Sequence, residues 1–170
     1  DAWITIDIHD HQTNQSFLLP ADLDNLCPIA VTDWIEGLEY ELEHADPYLI
    51  IRGNHGYEDF ALYRAPKPTA ETRSNPEAWD TLWIPKKGAL FSDYEVLENH
   101  WVIEYSEEGC GRYLIAEPNP TAFEIRQELA LSTSIHDTHL DPLPGYHRDM
   151  IRMLISTPAM PPEVREIDLT

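Results

Sequence analysis

Hydrophobic and polar positions alternate in several short segments of the chain, and each such segment predicts a β-strand. In residues 3–9, Ile4, Ile6 and Ile8 alternate with mostly polar residues, which is the period of a strand with one buried face. A polar turn separates this segment from a second apolar segment at 16–19. Together the two segments predict an antiparallel hairpin at the N-terminus.

Two further pairs of segments predict hairpins in the middle of the chain. The clearer pair is 101–105 with 113–117, and the other is 48–52 with 59–64. In both pairs a short connection that contains glycine joins two segments rich in β-branched, aromatic and aliphatic residues. This combination is typical of antiparallel strands joined by a turn.

A different spacing of apolar residues predicts helices, and the strongest case is residues 33–44. Asp33 and Glu36 have the spacing of a capping box at a helix N-terminus, and Pro47 lies just after the predicted C-terminus. The residues of its apolar face are Ile35, Leu38 and Leu42, with Trp34 beside them. This spacing of three to four residues is that of an amphipathic helix.

The remaining helix signals complete the predicted fold class. Capping-box spacing predicts a helix over 121–131, apolar spacing predicts one over 146–155, and Asn75 before Pro76 predicts a short helix start. The sequence therefore predicts an α+β fold, in which antiparallel β-hairpins form a small sheet packed against about three to four helices. We expect a single domain over residues 1–170, with the proline-rich loop at 65–76 as the candidate boundary.

The net charge excludes several classes of partner. The chain has 170 residues, with 31 Asp plus Glu against 11 Lys plus Arg, and a formal net charge of -20. Direct binding of nucleic-acid phosphates or of anionic lipids requires a basic surface, which this composition does not favour. No apolar segment approaches the length that a membrane-spanning helix needs. We expect a cytoplasmic protein, with an exported mature form as the alternative.

The acidic residues are concentrated near the N-terminus, where they predict a binding surface. The first 51 residues contain eleven acids and no Lys or Arg. Like charges on one helix face cost a few tenths of a kcal/mol each, so we interpret them as a surface that attracts a basic protein. The predicted partner-binding residues are Asp33, Glu36, Glu39, Glu41, Glu43 and Asp46. Solubility and adaptation to high salt are the alternative explanations.

The sequence therefore predicts an acidic, non-catalytic inhibitor that binds a basic partner and needs no cofactor. In size and acidity the chain resembles DNA-mimic inhibitors of restriction and CRISPR systems. The basic partner would then be a DNA-binding protein. The partner could equally be a nuclease toxin, in which case the chain would be an immunity protein.

The alternative function is a metal-dependent hydrolase or oxygenase. Imidazole and carboxylate groups suit zinc or non-haem iron, and the candidate ligands are His136, His139, Asp141, His9 and His11. The chain lacks the Gly-x-Ser-x-Gly and Ser-x-x-Lys motifs of nucleophilic enzymes and the glycine-rich motifs of nucleotide-binding proteins. Its two cysteines, Cys27 and Cys110, predict two reduced thiols, with one disulfide as the alternative.

Overall fold

β-Strands make up nearly all of the regular structure. The computed structural model describes residues 3–22, 26–119, 123–129 and 137–170. Within these ranges the chain forms fourteen β-strands and a single 3-10 turn, Pro76–Ala78. The chain consists of two compact units, the N-terminal unit Asp1–Leu82 and the C-terminal unit Trp83–Thr170.

The N-terminal unit contains two antiparallel sheets, which we call the first and second sheets. The strands of the first sheet are, in spatial order, β1 (Trp3–His9), β2 (Asn14–Pro20) and β3 (Ile29–Ala30). The strands of the second are β4 (Tyr40–Ala45), β5 (Tyr48–Gly53), β6 (Ala61–Pro66) and β7 (Asp80–Trp83). Side chains from both sheets form one core, which includes Leu18, Val31, Tyr40, Leu49, Ile51, Tyr63 and Trp79.

The C-terminal unit repeats this plan with a third and a fourth sheet. The strands of the third are, in spatial order, β11 (Glu124–Leu129), β10 (Cys110–Glu117), β9 (Trp101–Glu107) and β8 (Ala89–Val96). The strands of the fourth are β12 (Asp137–Leu140), β13 (Met150–Thr157) and β14 (Met160–Asp168). The shared core is made by Leu97, Val102, Tyr113, Leu140, Ile151, Met153 and Ile155.

The predicted hairpins are confirmed, because alternation of apolar and polar residues identified their strands correctly. β1 pairs with β2 so that Ile6 faces Phe17 across the ladder. β5 pairs with β6, and β9 pairs with β10. In each pair, alternate side chains enter the core while their neighbours point to the other face of the sheet.

The predicted helix over 33–44, and with it the α+β fold class, is wrong. Residues 33–39 are irregular apart from a turn at Glu36 and Gly37, and β4 follows at Tyr40. Gly37 adopts a φ of +80°, a left-handed conformation that a continuous helix does not allow. Along β4 the inward Tyr40 and Leu42 alternate with the exposed Glu41 and Glu43. Leu38, Tyr40 and Leu42 therefore fit a period of two once the chain is extended, whereas Trp34 and Ile35 are exposed.

The other predicted helices are also strands. Residues 146–155 are mostly β13, where Ile151, Met153 and Ile155 are buried at a spacing of two. Residues 124–129 of the predicted helix 121–131 form β11, while 121–122 and 130–131 lie outside the described residues. The cap at Asn75 does form, with Asn75 Oδ1 accepting a hydrogen bond from the Glu77 N–H at 3.2 Å, but it begins only a 3-10 turn.

None of the described residues belongs to a helix that is long and apolar enough to cross a membrane.

Candidate functional site

The N-terminal unit contains an open cleft of about 310 Å³ between elements of its two sheets. The lining residues are Asp7, His9, Asp10, Thr13, Asn14, Glu39, Tyr40, Glu41, Arg52 and Phe60. They come from the end of β1, the turn into β2 and its first residue, the segment 39–41 at the start of β4, the end of β5, and Phe60 directly before β6. Residues more than fifty positions apart in sequence thus share one concave surface.

Hydrogen bonds from Asn14 hold the two sides of the cleft together. The Asn14 side-chain amide donates to the Tyr40 carbonyl at 2.6 Å, and its Oδ1 accepts from the Tyr40 N–H at 2.7 Å. The Asn14 N–H donates to the Leu38 carbonyl at 3.0 Å. The buried Tyr40 hydroxyl accepts a further bond from the Ser16 N–H at 2.9 Å. Because these groups are satisfied within the protein, they fix the cleft rather than offer it ligand-binding atoms.

Carboxylates dominate the charge of the cleft. Asp7, Asp10, Glu39 and Glu41 all line it and are all exposed. The Arg52 guanidinium lies 3.5 Å from Glu41 and stacks 4.0 Å from the centroid of the Phe60 ring.

Phe60 has an unusual backbone conformation. Its φ of +62° is rare for an aromatic residue and is a strained geometry. The cleft therefore has a charged lining and one lining residue, Phe60, with a strained backbone.

The predicted partner-binding residues do not form one helical face. Of the six, Glu39 and Glu41 line the cleft, Glu43 lies on β4, and Glu36 is exposed in the preceding turn. Ion pairs join Asp33 to Arg73 at 3.7 Å and Asp46 to Lys67. The hydrogen bond from Lys67 and its positive charge lower the pKa of Asp46 below its ordinary value. Asp33 and Asp46, which looked unpaired along the sequence, are therefore paired with cations distant in sequence, and a basic partner stays a prediction.

The predicted metal ligands are distributed over both units. His9 lines the cleft, and His11 is exposed in the turn that follows β1. His139, on β12, lies 3.3 Å from Asp137, and Asp141 lies 3.3 Å from Arg152.

His136 lies outside the described residues. Among residues 3–22, 26–119, 123–129 and 137–170, no group of three His, Cys, Asp or Glu side chains could hold a metal ion.

Sequence analysis missed a buried carboxylate in the C-terminal unit. Glu104 is only 5% exposed on β9, and it accepts a hydrogen bond from the Leu140 N–H at 2.8 Å. Burial raises the pKa of this carboxyl above its ordinary value of 4.5, and the charge of Asp93 raises it further. Leu140 and His139, whose Nδ1 lies 4.0 Å away, oppose that increase. The signal was present, because a single acid stands between Ile103 and Tyr105 in an apolar segment.

We expect Glu104→Gln to stabilise the protein at neutral pH and to do so less as the pH falls. Because the folded-state pKa of Glu104 is raised, the stability it contributes is present below its unfolded-state pKa and is lost as the pH rises through the folded-state pKa. Glutamine does not titrate, and its carbonyl can still accept the Leu140 hydrogen bond. Urea unfolding of wild type and variant between about pH 4 and 8 measures the difference.

His139 is the neighbouring ionisable side chain at 4.0 Å from Glu104, so the comparison is repeated in a His139→Asn background. We expect the pH-dependent difference to persist there, since it belongs to the Glu104 carboxyl. A difference of constant size at every pH would show that burial of this charge does not affect stability.

Comparison with known proteins identifies the fold. No protein-family model and no curated protein sequence matches the chain. Solved structures do match over 99% of it: oligopeptidase B from Trypanosoma brucei, with 18% identity and a TM-score of 0.83, and oligopeptidase B from Leishmania major, with 19% and 0.80. A prolyl endopeptidase matches at 10% identity and a TM-score of 0.80. The chain spans only 23–24% of the length of these three proteins.

The likeness corrects the functional prediction. At these identities it shows the fold alone, and that fold is the succession of antiparallel sheets found in β-propeller-like peptidase domains. The prediction of an acidic inhibitor, DNA mimic or immunity protein is wrong, since its acidic helix does not exist and its structural neighbours are peptidases. Sequence reasoning could not see this relationship, because no peptidase motif falls within the chain.

Proposed function

We propose that this chain forms successive blades of the β-propeller-like domain of a peptidase. The observation that carries the proposal is the match of nearly the whole chain, at a TM-score of 0.83, to an oligopeptidase B. Two further matches at a TM-score of 0.80 are also to enzymes named for peptide hydrolysis. A blade is a small antiparallel sheet packed face to face on its neighbour, and each of the two units contains such a pair of sheets.

Within a peptidase, these sheets would control which peptides reach the catalytic groups. The sequence carries no recognisable nucleophile motif, so those groups would belong to another part of the polypeptide. Each unit is a pair of sheets around an apolar core, which is a rigid element. For the matched prolyl endopeptidase, inter-domain dynamics have a role in catalysis and specificity. By analogy, motion of each unit against the catalytic domain would select which peptides enter.

The native protein tests the proposal directly. An antibody raised against this chain isolates the polypeptide that carries it, and mass spectrometry measures its length. We expect a polypeptide about four times as long as this chain, in line with the 24% coverage. The isolated protein should hydrolyse short fluorogenic peptides, and antipain should inhibit it, as expected for a relative of the trypanosomal enzyme that binds antipain covalently.

An unrelated antibody applied to the same lysate provides the control for contaminating peptidases. A native polypeptide of about 19.6 kDa, the mass of this chain alone, would contradict the proposal. So would a longer polypeptide that hydrolyses none of a panel of short peptides.

A further inference from the structure

A histidine lies near the end of the inward face of β4. Tyr40 and Leu42 of this strand contact the core of the N-terminal unit, and His44 continues their alternation two residues further along. The ladder places His44 opposite Leu49 of β5, which is fully buried in the same core. A titratable ring therefore occupies a position where the alternation along the strand favours an apolar side chain.

Trp3, the first residue of β1, covers this imidazole. The rings of Trp3 and His44 stack with their centroids 6.4 Å apart and an angle of 10° between their planes. Trp3 also packs against the core of the N-terminal unit. The stacked pair thus joins the beginning of β1, which belongs to the first sheet, to β4 of the second sheet.

The His44 ring lacks hydrogen-bond partners in this position. Its Nδ1 and Nε2 atoms are both buried, and neither has a partner among the residues that the structure describes. The neutral imidazole has one N–H group to satisfy, whereas the imidazolium has two and also carries a charge. Burying a charged donor without an acceptor costs more than burying a neutral one. The stacked arrangement therefore favours the neutral ring.

The charged side chains that face His44 are Lys67 and Asp46. Lys67 follows β6, and its ammonium group lies 5.8 Å from the centroid of the Trp3 ring and forms an ion pair with Asp46. From β1 and β5 the neighbouring side chains, Trp3 and Leu49, are uncharged. Burial lowers the pKa of His44 below its ordinary value of 6.5, Lys67 lowers it further, and Asp46 opposes the decrease. The indole would attract an imidazolium, but it provides no acceptor for either N–H group.

We propose that the contact between His44 and Trp3 is an acid-sensitive switch: when His44 takes up a proton, Trp3 moves away and the beginning of β1 separates from the second sheet. Separation exposes the imidazolium to water, which provides acceptors for both N–H groups. It also removes the indole that Lys67 and the imidazolium would otherwise share. The inference does not depend on the proposed function, because all four side chains lie within the N-terminal unit.

The direction of the pH dependence follows from linkage. The pKa of His44 is lowered while Trp3 covers the ring, and it returns toward 6.5 once the ring is in water. The covered state is therefore favoured above that pH, and the separated fraction increases as the pH falls below it. Each unit of difference between the two pKa values changes the equilibrium between covered and separated states by about tenfold.

Hydroxyl-radical footprinting of the native polypeptide that carries this chain tests the switch. Mass spectrometry measures the oxidation of Trp3 relative to that of Trp34, which is already 46% exposed, so differences in radical dose cancel. We expect this ratio to increase at least about threefold between about pH 7.5 and about pH 5. Trp79, which is 7% exposed in the core of the unit, should stay protected at both pH values because the separation is local.

Substitution of His44 by phenylalanine tests the cause. In His44→Phe a flat ring still covers Trp3, no hydrogen bond is lost and no proton is taken up, so the oxidation ratio should not change with pH. His55→Phe is the matched control, because the His55 ring also contacts a tryptophan of this unit, with its centroid 6.3 Å from that of Trp79. This control should respond to acid as the wild type does. If His44→Phe does not fold, His44→Gln, which also does not titrate, replaces it in the comparison.

Three outcomes would overturn the switch. They are an equal increase of the Trp3 ratio in wild type and His44→Phe, an unchanged wild-type ratio down to about pH 5, and a parallel increase for Trp79, which would mean that acid unfolds the whole unit. None of these outcomes depends on the length or the peptidase activity of the native polypeptide. The switch and the proposed function are therefore tested separately.

Discussion

Replacing Arg148 with methionine should destabilise the protein by about 3–5 kcal/mol at neutral pH, the largest effect that we expect from a single substitution. The Arg148 guanidinium forms an ion pair with Glu95 on β8, and the side chains retain only 15% and 12% of their exposure. It also donates to the carbonyl of Leu143 at 2.9 Å and to that of Met150. Methionine fills similar volume but leaves the Glu95 carboxylate buried without its cation.

The pH dependence of this loss identifies its cause. Burial already raises the pKa of Glu95, and Arg148 opposes that increase. Removing Arg148 should raise the pKa further, so the variant should regain stability as the pH falls and Glu95 takes up a proton. Urea unfolding at several pH values measures the recovery.

Two further variants serve as controls for the Arg148 experiment. Arg165→Met removes an exposed arginine that lies 3.2 Å from Glu163, and it should cost only about 0.2–1 kcal/mol. The double variant Arg148→Met with Glu95→Gln should recover part of the loss, because no charge then remains buried. Equal losses for Arg148→Met and Arg165→Met would show that the buried ion pair has no special importance.

The sequence indicated the hairpins but not the number of sheets, and the reason is physical. Strict alternation, as in Ile4, Ile6 and Ile8, identifies a strand in isolation because it reports a property of the extended backbone. Between residues 33 and 44 the apolar spacing fitted a helix as well as a strand. The left-handed conformation of Gly37 and the pairing of β4 with β5 favour the strand over the helix, and this pairing depends on residues outside the segment 33–44. Local capping patterns cannot report such pairing.

The candidate site was harder to predict than the strands. Glu39 and Glu41 were singled out because of their charge, and they do line the cleft, but the other wall comes from Asp7 and Phe60 in different strands and turns. Nothing in the local sequence places these segments side by side. Arg148 gave no signal at all, because its partner Glu95 lies fifty-three residues away. Glu104 is the exception, since an acid within an apolar strand is visible in the sequence itself.

The second prediction with a large effect concerns Gly111, where the third and fourth sheets approach each other closely. A Cβ atom at Gly111 of β10 would overlap the Oγ1 atom of Thr138 on β12. Thr138 is buried, and its β-branched side chain has few alternative rotamers that would make space. Gly111→Ala should therefore destabilise the protein by about 1–3 kcal/mol, the typical cost of overpacking a core.

A double-mutant cycle shows whether this close approach is the cause. Thr138→Ala removes the hydroxyl that the new methyl group would meet, so Gly111→Ala should cost much less in that background than in the wild type. Gly109→Ala is unsuitable as a control, because Gly109 has a φ of +77° and alanine would be strained there for a different reason. Ser106→Ala, at the position opposite Gly111 on β9, is the better control and should have a small effect. Additive costs for Gly111→Ala and Thr138→Ala would mean that the loss does not come from contact with the Thr138 side chain, and that the spacing of the two sheets is not set by this glycine.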